Sequence, residues 1–176
     1  MDDDVYWNCV RWATDPSMFK NKKQDERRWG NEMRTRISQK TKETSNWTTI
    51  VGEYLVKETL ERTGRQVWRP SICDGCLPDW ETIDAMWEVK TRTWNTSGTA
   101  GEKILGVPYK YANVVRSYGK PLRIVCLAYQ ETEADKKWSL FAPQKTEQRA
   151  LVNVWDVLGI RFIRFSDLFL SSMTIQ

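Results

Sequence analysis

The chain predicts an α/β domain, a mixed β-sheet flanked by helices in three layers. Three observations carry this. The length, 176 residues, is about one domain's worth, and 40% hydrophobic with 28% charged residues is enough to bury a core. The local patterns run helix, strand, strand, strand, helix, strand, with additions at both ends. Residues 122–129 (Leu-Arg-Ile-Val-Cys-Leu-Ala-Tyr) are apolar enough for a strand buried on both faces. A single domain over 1–176 is expected: a basic helical N-terminal extension (1–44), a core (45–130) and C-terminal additions (131–176).

Taken in order, residues 1–19 are mixed and aromatic. Asp15-Pro16-Ser17 reads as a helix start with proline in the first turn. Residues 20–42 hold nine Lys or Arg against three acids, more than the whole net charge of +4. That segment is either a solvated helical face or a surface that tracks phosphates. Ser45-Asn46 suits the cap of a helix running to about Arg62, with Gly64 as its stop. Residues 66–69 read as a short strand, 73–76 as a turn, 77–83 as a strand, Asp84-Ala85 as a turn and 86–92 as the returning strand. A polar loop follows over 93–100. Gly101 to about Ser117 is partly helical and interrupted near Pro108. After strand 122–129 come a helix at 145–158, an alternating strand at 160–165, and a last short helix capped by Ser166-Asp167.

The sequence has no histidine. Ser–His–Asp and Cys–His hydrolases, His-ligated zinc enzymes and His-dependent nucleases are therefore excluded. Acid–base or metal chemistry has to run on Asp, Glu, Lys, Tyr or Cys. The acidic start Met1-Asp2-Asp3-Asp4 and the absence of a long apolar run predict a soluble, cytoplasmic protein without a membrane partner. Cys73 and Cys76 form a CxxC in a turn, but zinc needs two more ligands, and free thiols are the expectation. Cys126 reads as a core residue.

Chemistry concentrates on two neighbouring strands, which hold Pro78-Asp79 and Glu88-Val89-Lys90. Side chains alternate across a strand, so Glu88 and Lys90 share a face, and Asp79 reaches that face if the strands pair. Two carboxylates and an ammonium suit metal-assisted phosphodiester hydrolysis. Mg²⁺ prefers carboxylate and phosphate oxygens, and a lysine beside it orients a water or offsets charge at phosphorus. Glu81 is a rival to Glu88, two residues beyond Asp79.

These residues resemble the PD-(D/E)xK nucleases, the superfamily that includes most type II restriction endonucleases. The order of elements from about 46 to 128 is similar to that family's core. The resemblance implies a restriction-endonuclease-like fold, Mg²⁺ on Asp79 and Glu88, and Lys90 assisting the attacking water. It also implies a glutamate on the preceding helix, where Glu53 stands; otherwise Glu53 is an i,i+4 partner of Lys57. The stretch Ser97–Ile104 with Tyr109-Lys110-Tyr111 also looks like a segment that follows the catalytic strand in several restriction enzymes.

Among the family's members a type II restriction endonuclease acting as a homodimer on double-stranded DNA is expected, with no small-molecule cofactor. The DNA contacts expected are Lys103 and Lys110 beside the cut, Arg92, Asn95, Thr96 and Ser97 near the groove, and Lys22, Lys23, Arg27 and Arg28 as a clamp. Of ten tryptophans most read as core. Trp94, in the polar loop, is the exception suited to stacking on a sugar or an unstacked base. Two alternatives stand beside this reading: a structure-selective nuclease of the same fold, such as a junction resolvase or repair nuclease, and a non-catalytic nucleic-acid-binding protein.

Overall fold

A computed structural model describes residues 3–38, 47–95 and 99–174. Helix α1 (Asp3–Thr14) turns Val5, Tyr6, Cys9, Val10 and Ala13 inward at helical spacing. It ends ahead of Pro16. Asp15 does not begin a helix: its carboxylate accepts hydrogen bonds from the Ser17 amide (2.8 Å) and hydroxyl (2.6 Å) in a local turn. The basic segment forms α2 (Lys23–Ser38). Helix α3 (Trp47–Arg62) follows, and the chain leaves it through Gly64 at φ +80°, a left-handed position that favours glycine. The expected cap, Ser45-Asn46, lies outside the described residues.

Of the strand expected at 66–69 only a bridge between Trp68 and Glu81 forms. Cys73 and Cys76 pair across a two-residue turn, with Asp74 and Gly75 both left-handed. The strand expected over 77–83 shortens to β1 (Trp80–Glu81). Strand β2 (Met86–Arg92) is as expected. A 3₁₀ segment (Thr99–Gly106) leads to α4 (Val107–Lys110) and α5 (Val114–Tyr118). Pro108 therefore sits in the first turn of α4, where its missing N–H costs nothing, and does not interrupt a longer helix. Strand β3 (Leu122–Ala128) runs into α6 (Tyr129–Lys136), a helix that the sequence pattern does not predict. Ala128 makes that junction at φ +53°, ψ −131°, a conformation that strains a residue carrying a Cβ. Helix α7 (Thr146–Val157), β4 (Ile160–Arg164) and α8 (Phe165–Met173) complete the chain. Helix α8 starts one residue ahead of Ser166, without a side-chain cap.

The sheet is mixed, in the order β1-β2-β3-β4: β1 is antiparallel to β2, and β2, β3 and β4 are mutually parallel. Alternation along the strands divides the core in two. Trp87, Val89, Val125 and Leu127 pack with α1, α3 and α8 on one face. Met86, Ile124, Cys126 and Phe162 pack with the segment from Ile104 to Val114 on the other. This is a single α/β domain with helices on both faces of the sheet. No helix of the described residues is long and apolar enough to cross a membrane.

Candidate active site

The pairing of β1 with β2 brings the acids together. The register Trp80↔Trp87 and Glu81↔Met86, carried back one residue, sets Asp79 opposite Glu88. Pro78 has no N–H to offer the ladder, and Asp79 Oδ2 instead accepts the Val89 amide at 2.7 Å. Glu88 and Lys90 share the Met86 face, and Lys90 Nζ forms an ion pair with Glu88 Oε1. Glu88 is only 3% exposed, and its other oxygen, Oε2, is buried without a hydrogen bond. Burial first, then the Glu88 charge, drives the neighbouring Tyr111 phenol upward. Lys110 Nζ lies 3.1 Å from the Tyr111 hydroxyl, to which it donates.

Helix α3 supplies the third acid. Gly52 lies against Thr91 of β2 with no room for a Cβ, so helix and strand nearly touch there. That approach puts the next residue, Glu53, over the open margin of β2. Glu53 forms an ion pair with Arg69. Arg69 Nη1 also donates to the Asp79 carbonyl at 2.8 Å, and its guanidinium lies 3.8 Å over the Trp80 ring. Trp80 Nε1 donates in turn to the Glu53 carbonyl at 2.9 Å. One arginine thus ties α3 to the segment that carries Asp79. Nothing in the sequence singles out Arg69. No spacing rule links residue 69 to 53 and 79; only the tertiary pairing does.

Electrostatics reflects the crowding. Asp79 is pushed up to about 7, by burial first and then by the charges of Glu88 and Glu53. Beside it opens a cleft of about 200 Å³ lined by Thr49, Glu53, Asp79, Val89, Lys90 and Thr91. Among the described residues no group of three or more acidic or cysteine side chains could hold a metal ion by itself. The donor set still fits Mg²⁺, which takes one or two carboxylates and completes its shell with water and phosphate oxygens. A buried carboxylate oxygen without a partner and a carboxyl with raised proton affinity are both groups that a cation would satisfy.

Comparisons with family models, with curated proteins and with solved structures find no match for this chain.

The rival acid, Glu81, has another partner: Lys120 Nζ sits 2.7 Å from it. The Glu53–Lys57 pair does not form, because Lys57 pairs with Glu61 at 2.8 Å. Lys22, Lys23, Arg27 and Arg28 are all exposed, and Arg28 pairs with Asp25 at 2.7 Å. Lys103 and Lys110 are exposed as well.

Two expected DNA contacts need correction. Arg92 is 6% exposed and ion-paired with the equally buried Glu133, which leaves it no path to a ligand. Asn95 uses its side-chain amide on the Phe19 carbonyl (2.7 Å) and Glu26 (2.9 Å). Both belong to the framework, and their partners lie 41 and 69 residues away, beyond the reach of local sequence. Thr96 and Ser97 lie outside the described residues. Cys9, Cys73, Cys76 and Cys126 are free thiols, with Cys9 and Cys126 in the core.

Proposed function

We propose that the chain is a Mg²⁺-dependent DNA endonuclease of the PD-(D/E)xK type that cuts duplex DNA at a specific sequence, as type II restriction endonucleases do. The observation that carries this reading is the convergence of Glu88, buried and ion-paired with Lys90, on Asp79 beside a cleft that Asp79, Lys90 and Glu53 line, in a chain without histidine.

Asp79 and Glu88 are the residues that would hold the ion, which when bound polarises the scissile phosphate and makes a bound water more acidic. Lys90 lines the cleft with its side chain about a third exposed, and its ammonium is held by Glu88. There it orients the attacking water and offsets charge that develops on phosphorus. Arg69 fixes Glu53 and the Asp79 backbone in their mutual orientation. Lys103 and Lys110 hold the DNA backbone beside the cut, and the exposed cations of α2 track phosphates further along. A two-fold homodimer presents one such site to each strand of a palindrome.

The test is a digest of unmethylated plasmid and phage DNA by purified protein, with and without Mg²⁺. Sharp Mg²⁺-dependent fragments are expected, and sequencing their ends gives the recognition site. Cleavage confined to branched duplexes moves the chain to the structure-selective nucleases. Salt-sensitive binding with every substrate left intact overturns the enzymatic reading.

A further inference from the structure

A second cavity, of about 400 Å³, lies between the turn at 15–21, the Trp94-Asn95 corner and helix α6. That size falls within the range of small-ligand sites. We propose that it binds one unpaired nucleotide of a nucleic-acid strand, the base against Trp94 and Tyr129 and the phosphate at Lys20 and Lys136. The proposal rests on the nuclease reading above and adds a second point of attachment to the same substrate.

Two rings form the apolar part of the cavity, and they meet edge to face. Trp94 is anchored on several sides: its amide donates to Glu26 Oε1 at 2.9 Å, its indole Nε1 donates to the Trp12 carbonyl at 2.8 Å, and its ring meets Tyr129 edge-on at 6.2 Å and 67°. The only polar atom of the indole is therefore engaged inside the protein, and a ligand meets the π-face alone. Tyr129 carries the Arg92 guanidinium 5.1 Å over its ring, which holds it in turn. A rigid, half-buried aromatic surface of this kind stacks any base regardless of sequence.

The polar part is cationic. Tyr129, Thr132 and Lys136 line the cavity from α6 at spacings of three and four residues, so one helix face looks into it. Lys20 stands on the opposite wall, and no acidic side chain lines the cavity among the described residues. Of the nearby carboxylates, Glu26 faces Trp12 and Trp94, Glu133 faces Arg92, Asp135 pairs with Arg164, and Asp15 is engaged by Ser17. Aromatic faces with two exposed ammonium groups match a base and its phosphate. A base still within the duplex stack cannot enter a concavity, so the ligand is an extrahelical or single-stranded nucleotide.

Position ties the cavity to the candidate active site. Trp94 lies four residues past Lys90, at most about 14 Å along the chain, or no more than about four base steps along one DNA strand.

The experiment uses the full chain in Ca²⁺ with a duplex carrying one unpaired 5-iodo-deoxyuridine at a series of positions. Irradiation cross-links the iodinated base to an adjacent ring, and peptide mapping locates the bond. Calorimetry in parallel compares thymidine monophosphate with thymidine. Cross-links on Trp94 or Tyr129, and monophosphate binding about tenfold tighter than nucleoside, are the expected results. Lys20→Ala with Lys136→Ala, two exposed positions that leave the fold intact, should erase that tenfold preference. Cross-links elsewhere in a protein that still cuts plasmid with Mg²⁺ overturn the cavity assignment and leave the nuclease reading standing. Lysine-dependent monophosphate binding in a protein that cuts no DNA supports the cavity and overturns the nuclease reading.

Discussion

Asp79 is pulled two ways. The Val89 amide favours its carboxylate, while burial and the charges of Glu88 and Glu53 favour its acid form, and the second set wins. Its proton affinity is higher folded than unfolded, so folding takes up a proton between 3.8 and about 7. The stability from this group is fully present below 3.8 and is lost as pH rises through about 7. Asp79→Asn should therefore raise the melting temperature of the metal-free protein above that window and lose its advantage towards acid pH, which thermal denaturation across pH reads directly. On the chemical side, Asp79→Ala, Glu88→Ala and Lys90→Ala should each lower cleavage by at least about 100-fold while DNA binding in Ca²⁺ survives. Full activity in Glu88→Ala would return the role to Glu81. Arg69→Ala should weaken Mg²⁺ binding by about tenfold in a calorimetric titration, and Arg69→Lys should not restore it, because one ammonium cannot reproduce the guanidinium fork. The three motif residues were legible because strand alternation fixes who shares a face. Arg69 was not, since its role exists only once residues 53, 69 and 79 are folded together.

Among the elements, α2 has two contrasting faces. Outward it shows Arg27 and Arg28, with Lys22 and Lys23 at its start. Neutralising those four should weaken binding to all DNA sequences alike. It should also flatten the dependence of log K on log salt, by up to ~0.9 for each phosphate that is no longer neutralised. Inward it buries Glu26, at 1% exposure, which accepts from Trp12 Nε1 (3.0 Å), the Trp94 amide (2.9 Å), and both the amide (3.2 Å) and side chain (2.9 Å) of Asn95. Glu26→Ala strands these donors and should cost about 3 kcal/mol in urea denaturation. The charge run of α2 was visible in the sequence, whereas the buried glutamate within it was not, because residue type alone does not report burial. Helices α3 and α7 and strands β2, β3 and β4 follow their hydrophobic periodicity. Helix α6 does not: half of its residues are charged, and tertiary partners hold it, Arg92 on Glu133 and Ser166 on Glu131. Strand β1 is shorter than its apolar pattern because Pro78 and Asp79 leave the ladder.

At the scale of the whole molecule, the order of patterns predicted a sheet covered on both faces, and the sheet β1-β2-β3-β4 has helices on both. The parallel pairs follow from the helical crossovers between β2, β3 and β4. The same topology separates two regions along β2: the carboxylate cleft at mid-strand and the aromatic cavity past its end. If both touch one substrate, removing the cavity lysines should lower affinity and leave the turnover of bound DNA unchanged, while removing Lys90 should do the reverse. Single-turnover kinetics at saturating protein separates the two outcomes.

The strained backbone of Ala128 sits immediately before Tyr129. Glycine would adopt that conformation freely, so Ala128→Gly should relieve about 1 kcal/mol of strain or more. The relieved junction would also let the start of α6 swing, and the Tyr129 ring with it. Selection for a chain that resists heat would favour glycine there, and selection for a chain that grips its ligand would keep alanine.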